Sequence, residues 1–209
     1  MDRLSRAGID VPGLEIRIVE RCTSTNAVLA CADDAHSAHP VLLAAEQQTA
    51  GRGRHGRRWR SARGAGATFS IRRRMACEQR RLAGLSVAVG IASARALRRL
   101  GARGVSLKWP NDLMVSRRKL GGILIETRPR ARSGAGAAAA GSVVVVGIGI
   151  NCRAQPRLGA RLGRGVASLD EVLRLPVSRN AVIGAVAREV LVALAAWERA
   201  WELPLERAA

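Results

Sequence analysis

The chain has 209 residues, with 35 Lys and Arg against 16 Asp and Glu, a formal net charge of +19. A chain of this length buries roughly two thirds of its unfolded surface, and with 48% hydrophobic residues it should form a real core; that excludes a disordered tail, a collagen-like repeat and a small disulfide-stapled scaffold. The charge would suit nucleic acid or an anionic membrane, but nearly all of it is arginine, and an arginine-coated surface accounts for it equally well.

Residues 1–10 alternate charge with short apolar residues and hold no signal-sequence core. Residues 14–19 read as a short strand. Thr23, Ser24, Thr25 and Asn26 then precede an Ala/Leu run over 27–32, the pattern of an N-capped helix. Residues 33–40 are a polar loop, and 41–45 a strand running into Glu46, Gln47, Gln48 and Thr49. Residues 51–66 are almost all Gly, Arg and small polar residues, a loop, and 68–71 follow as a strand. Leu82, Leu85, Val89, Ala92, Ala96 and Leu100 recur at helical steps and predict a helix over 82–100, ended by Gly101 and Gly104. Val105, Leu107 and Trp109 alternate as a strand, and Pro110, Asn111 and Asp112 make a turn. Residues 113–115 resume extended structure before Arg117 and Arg118 bend the chain again. Strands over 119–127 and 142–150 are joined by a Gly-, Ala- and Arg-rich connection, 128–141, expected to be a mobile hairpin loop. Asn180 is placed to cap a last helix whose Val182, Val186, Val190, Ala193, Trp197 and Trp201 form one stripe. Strands joined by short turns predict an α+β domain, with a mixed, largely antiparallel central sheet and helices packed mainly on one side.

Cys22, Cys31, Cys77 and Cys152 are widely spaced, with no C-x-x-C and no His at metal-ligand spacing. Reduced thiols in a cytoplasmic protein are expected, and the longest apolar stretches fall short of a membrane span.

Gly51-Arg52-Gly53-Arg54-His55-Gly56 formally fits G-x-G-x-x-G. A dinucleotide site needs that motif to open an apolar helix directly after a strand. Here residues 47–50 intervene and Arg57, Arg58, Trp59 and Arg60 follow, and the lysine and hydroxyl of a P-loop are missing. Three readings of the loop stay open. Its glycines let the backbone approach an anion, Arg52 and Arg54 add donor forks for phosphate or carboxylate, and Trp59 could cover a flat or apolar ligand. Alternatively Arg-Gly-Arg enters a minor groove, or the segment is a solvated basic loop.

A second constellation runs Lys108-Trp109-Pro110-Asn111-Asp112-Leu113, then Arg118-Lys119-Leu120-Gly121-Gly122-Ile123-Leu124-Ile125-Glu126. It holds both lysines of the chain, which marks positions where a compact ammonium is wanted. The pattern gathers ammonium, amide and carboxylate around one opening, or else is a hairpin with surface charges whose glycines accommodate packing. Gly147-Ile148-Gly149-Ile150-Asn151 ends a strand with glycines, a signal of close approach by backbone or ligand.

With Ser24-Thr25-Asn26 and Glu46 through Gln48 ahead of them, these motifs in this order resemble the catalytic domain of the biotin–protein ligases, over roughly residues 15–200. The resemblance implies the class II aminoacyl-tRNA synthetase-like, biotin–lipoate ligase catalytic fold. It implies an enzyme that uses ATP and Mg2+ to convert biotin to biotinyl-5′-AMP. A lysine of a biotin carboxyl carrier protein of acetyl-CoA carboxylase then takes the biotinyl group. Such chemistry needs alignment and charge stabilisation more than an enzymic nucleophile. By resemblance, Ser24, Thr25 and Asn26 line the biotin pocket with Gln48 and Gly51 beside it. Arg52 and Arg54 hold carboxylate and α-phosphate in a loop that closes over the intermediate, and whose composition suits ligand-dependent order. Lys119 contacts phosphate or carboxylate from the other side. Asn111 and Trp59 lie by the nucleotide, Asp112 near phosphate and Mg2+ or the incoming lysine, and Asn151 near ribose or adenine. Arg52, Arg54, Asp112 and Lys119 form the catalytic set. His55 stands where the family often has another Arg.

The chain is expected to be one catalytic domain, 1–209, without the family's N-terminal helix-turn-helix or its small C-terminal β domain. No specific DNA partner and no membrane are expected, and homodimerisation is left open. The alternatives are a lipoate–protein ligase or octanoyltransferase of the same fold, and a basic nucleic-acid-binding module without enzyme activity.

Overall fold

In the computed structural model, which describes residues 3–32, 39–130, 141–155, 159–160, 165–173 and 175–201, seven strands form one sheet. They are β1 (Glu15–Cys22), β2 (Val41–Gln48), β3 (Gly66–Met75), β4 (Ser106–Lys108), β5 (Asp112–Val115), β6 (Arg118–Pro129) and β7 (Ser142–Asn151), in the order β1-β2-β3-β7-β6-β5-β4. All neighbouring pairs are antiparallel except β1 and β2. The mixed, largely antiparallel sheet is the one expected, but its first connection is a crossover rather than a hairpin. Helix α1 (Thr25–Cys31) lies between the two parallel strands in sequence, as parallel pairing requires.

The two faces of the sheet do different work. On one, Leu42 and Ala44 of β2, Phe69 and Ile71 of β3, and Val144, Val146, Ile148 and Ile150 of β7 form the main core with α2 (Leu85–Arg99) and the last long helix. On the other, α1 packs Leu29 against Val41, Leu43 and Val145. The helices therefore lie mainly on one side, with the short α1 opposite. The last two helices are α3 (Leu169–Leu173) and α4 (Arg179–Ala200). By length and composition alone α4 passes for a membrane span. Yet its Val182, Ile183, Val186, Val190 and Leu194 are buried in the core against α2 and β3.

Several boundaries differ from expectation for local reasons. The helix expected over 82–100 begins at Leu85, because Gly84 takes φ +88° and separates it from a 3-10 turn at Gln79–Leu82. Ser178, not Asn180, caps α4, its side chain accepting from Ala181 N–H at 3.3 Å. Asn180 instead binds the N-terminal segment, accepting from Ser5 N–H and donating to Arg3 C=O, each at 3.1 Å. Trp109, expected in the strand with Val105 and Leu107, lies beyond β4 and is 76% exposed. Much of the loops expected over 33–40 and 128–141 lies outside the described residues.

A buried ion pair locks α4 to β2. Arg179 donates to both oxygens of Glu46 at 2.7 and 3.2 Å, and Leu4 N–H adds a bond at 2.7 Å. Burial pushes the Glu46 carboxyl up, but these hydrogen bonds and the Arg179 charge outweigh it. The group is held below its ordinary range. The pair fixes the end of β2, two residues before Gln48.

Candidate active site

Strand register explains why the α1 face can hold a cavity. Ser70 pairs with Gly147 and Thr68 with Gly149 across β3–β7, while Gly122 pairs with Gly149 and Leu124 with Gly147 across β6–β7. Paired residues share a face, so Thr68, Ser70, Gly122, Leu124, Glu126, Gly147 and Gly149 all point toward α1. Along β7 the isoleucines go to the core and the glycines leave the opposite face bare. That bareness is used: a Cβ at Gly149 would lie 2.7 Å from Cζ2 and Nε1 of Trp59, and one at Gly147 would collide with the Asn26 side chain. Above this floor is a cavity of about 290 Å³.

One end of the cavity is polar and uncharged. Ser24 caps α1, and Thr25 and Asn26, in its first turn, are buried. Gln48 Oε1 accepts from Thr25 N–H at 2.7 Å and lies 3.0 Å from its hydroxyl. Thr25 Oγ1 is 2.6 Å from Ser70 Oγ, which is 2.5 Å from Asn26 Oδ1. Asn26 Nδ2 donates to Glu126 Oε2 at 2.8 Å and to Leu124 C=O at 3.2 Å.

The other wall is the glycine–arginine loop. Trp59 N–H donates to Gly51 C=O at 3.0 Å, Gly53 N–H to Arg57 C=O at 2.7 Å, and Arg52 bridges to Arg58. The segment is thus a small hairpin, turned by a 3-10 turn at Arg54–Gly56 with His55 at φ +55° and Gly56 at φ +70°. His is among the few non-glycine residues enriched there, which gives His55 a backbone role at the tip. Gly51 is required by close approach: a Cβ would lie 2.6 Å from Trp59 C=O and 2.8 Å from Gln48 Nε2. The loop's arginines reach across the cavity. Arg52 pairs with Glu126 at 2.8 Å, and Arg54 donates to Asn111 Oδ1 at 3.0 Å. Asn111 is itself held by a 3.1 Å bond to Ile123 C=O. Facing them, Lys119 Nζ is 2.5 Å from Asp112 Oδ1.

Of the residues singled out in the sequence, Ser24, Thr25, Asn26, Gln48, Arg52, Arg54, Trp59, Asn111, Asp112 and Lys119 line this one cavity. Gly51 lies just outside, under Trp59. Asn151 does not line it: buried behind the wall, its Nδ2 donates to Ala167 C=O at 3.1 Å and lies 3.4 Å from Lys119 C=O, while its Oδ1 has no partner among the described residues. Residues 165–167 run beside Lys119 and cover it. Missed by the sequence reading were Thr68, Ser70 and Glu126. Glu126 was legible, because counting by twos from Gly122 puts it on the same face. Ser70 and Thr68 were not, since only the β3–β7 register brings them there. Among the described residues no group of three or more His, Cys, Asp or Glu is gathered as for a metal ion; Asp112 is the carboxylate among the lining residues, and Glu126 stands behind Asn26 and Arg52.

The chain is similar to several known proteins. Over 82 residues the chain is 50% identical to the bifunctional ligase/repressor BirA of Escherichia coli, covering 39% of this chain and 26% of that protein. Over 117 residues it is 39% identical to the biotin–[acetyl-CoA-carboxylase] ligase of Mycobacterium tuberculosis, covering 54% and 44%. These matches thus span less than half the length of either relative. Among solved structures, biotin protein ligase of Leishmania major in complex with biotinyl-5-AMP superposes with a TM-score of 0.70 at 21% identity, over 90% of this chain and 77% of that one. The Aquifex aeolicus ligase in complex with biotin and ATP gives 0.67 at 25%, over 88% and 72%. Residues 18–150, well over half of the chain, match the model of the biotin/lipoate A/B protein ligase family, and the chain belongs to that family.

Proposed function

We propose that this chain activates biotin with ATP and transfers it to a lysine of a biotin carboxyl carrier protein. The observation that carries the reading is one cavity with an uncharged hydrogen-bonding end, at Thr25, Asn26 and Gln48 with Ser70 bonded behind them, and a cationic end, at Arg52, Arg54 and Lys119. Biotin has the matching halves, a cyclic urea and a carboxylate. In the first step a biotin carboxylate oxygen attacks the α-phosphorus. The bond to the β-phosphate bridging oxygen breaks, and pyrophosphate leaves with that electron pair. In the second, a neutral lysine amine of the acceptor attacks the acyl carbon, AMP leaves with the C–O electron pair, and the amine proton is lost to solvent.

In this reading the residues divide the work. Ser24, Thr25, Asn26 and Gln48 bind the ring, with Gly51 supporting Gln48. Arg52, Arg54 and Lys119 gather the carboxylate and α-phosphate and stabilise the charge that builds between them. Trp59 and Asn111 flank the nucleotide, and Asn151 supports the Lys119 strand behind it. Mg2+ is held through one or two protein carboxylates plus substrate phosphates, which fits the single Asp112 carboxylate; the ion would screen the phosphate charges. The described residues share one sheet and act as one catalytic unit.

Biotin-dependent exchange of pyrophosphate into ATP, run beside lipoate and followed by transfer to a biotin acceptor domain, tests the reading. Exchange with lipoate alone would move the chain to the lipoate branch of the family. Exchange with neither would end the enzymatic reading.

A further inference from the structure

Glu126 joins the two ends of the cavity. Its Oε1 pairs with Arg52 and its Oε2 accepts from Asn26 Nδ2, both at 2.8 Å. We propose that Glu126 is a positioning residue that sets the donor–acceptor polarity of the hydrogen-bonded end of the cavity. The inference rests on the reading above, in which that end receives the biotin urea.

The argument starts from an ambiguity in the network. The two ends of an amide are nearly equal in shape and opposite in chemistry, and a hydroxyl has one hydrogen to give. The chain Asn26–Ser70–Thr25–Gln48 could therefore run in either direction. A carboxylate only accepts, and Glu126 removes the choice. It holds the Asn26 amino end toward β6, where Leu124 C=O also accepts it. Asn26 Oδ1 must then face Ser70, and Ser70 gives its only hydrogen to it. Ser70, having given its hydrogen to Asn26, can only accept from the Thr25 hydroxyl at 2.6 Å, a shorter contact than the competing one from that hydroxyl to Gln48 Oε1 at 3.0 Å. Gln48 Oε1 accepts from the Thr25 backbone N–H at 2.7 Å in either direction. Ser70, Thr25 and Asn26 are buried, so bulk water does not scramble this order. A cyclic urea carries two N–H donors and one C=O acceptor. It fits one direction of the network and meets like groups in the other, and buried polar groups left unpaired discriminate strongly.

Glu126→Gln gives a specific test. Its oxygen is drawn to the Arg52 charge, so its amino group faces Asn26, turns that amide over and reverses the chain through Ser70 and Thr25. The expected result, by calorimetry, is a rise of about tenfold or more in the Kd for biotin. The Kd for ATP and the unfolding temperature should stay near those of the unaltered chain. The double change Glu126→Gln with Asn26→Asp restores the order, because the introduced amide and the Ser70 hydroxyl both donate to an acceptor-only side chain. It should bind biotin more tightly than either single variant; Asn26→Asp alone sets two carboxylates against each other. The inference is overturned if Glu126→Gln leaves biotin binding unchanged, if it weakens ATP equally, or if the double variant is no better than the singles. Failure of the unaltered chain to bind biotin would remove the functional reading and this inference with it.

Discussion

Gly149→Ala puts a methyl group where the structure has an indole. The new Cβ would sit 2.7 Å from two ring atoms of Trp59, too close for any real contact, while φ at this position is ordinary and adds no strain. The ring must move. Trp59 also donates its backbone N–H to Gly51 C=O at 3.0 Å, and its Nε1 has no partner among the described residues, so packing on the glycine floor is what seats the ring. Overfilling a packed site costs about 1–3 kcal/mol, or a fall of roughly 2–12 °C in Tm for a domain of this size. Because Trp59 closes the hairpin that carries Arg52 and Arg54, KM for biotin should rise as well. Gly122→Ala is the control on the same floor. Its Cβ would lie 3.4 Å from Lys119 Nζ and 3.6 Å from Trp59 Cζ3, ordinary contacts. Replacing Gly where the backbone allows it gains about 0.4–1 kcal/mol through the unfolded state, so this variant should be neutral or more stable. Differential scanning calorimetry and pyrophosphate exchange on both proteins decide the matter. If Gly149→Ala melts with Gly122→Ala and keeps its KM, the glycine floor is not a seat for Trp59.

Arg54→Gly removes the 3.0 Å tie from the loop to Asn111 and should let biotinyl-5′-AMP escape before transfer; unchanged retention, measured by chromatography of released adenylate alongside acceptor labelling, would contradict the role given to that contact. The Glu46–Arg179 pair predicts the acid limb of stability. The folded carboxyl is held below its ordinary value of 4.5, so its contribution is complete above that value and is lost as pH falls through the lowered one. Glu46→Gln should cost about 3 kcal/mol at neutral pH and flatten that limb, as followed by urea unfolding across the acid range up to neutrality.

The cavity was partly legible because its floor is written in a period of two. In Gly147-Ile148-Gly149-Ile150 the isoleucines satisfy the core face and the glycines declare that something else occupies the opposite one. The loop and the Lys108 to Leu113 motif supplied most of the wall. What was not legible depended on pairings distant in sequence. Nothing local says that Ser70 will stand opposite Gly147, or that α1 will cross on the glycine face rather than join α2 and α4. Asn151 continues the parity of the two glycines, yet residues 165–167 lie over it. That segment has no periodicity of its own, so the cover could not be read in advance. Trp109 alternated like a buried strand residue, but β4 stops at Lys108 and leaves it in solvent.

The arginine excess separates into two populations once partners are known. On the surface, Arg3 and Arg63 share Glu20, and Arg95 and Arg99 share Glu189, as a chain with so few carboxylates must arrange. The exposed Glu20 pairs contribute little, and none of these surface pairs carries information about a ligand. In the cavity the cations are each given a chosen partner: Glu126 for Arg52, Asp112 for Lys119, the neutral Asn111 for Arg54. A protein that binds duplex by charge gains affinity from cations that meet phosphates along the backbone. Here the loop cations converge on groups around one small cavity. A substrate carboxylate arriving at Arg52 would compete with Glu126 Oε1 for a half-exposed guanidinium. Glu126 would keep its hold on Asn26 through its second oxygen. An internal carboxylate that gives up one partner and keeps the other lets the cationic end of the cavity adapt to its ligand while the hydrogen-bonded end stays ordered.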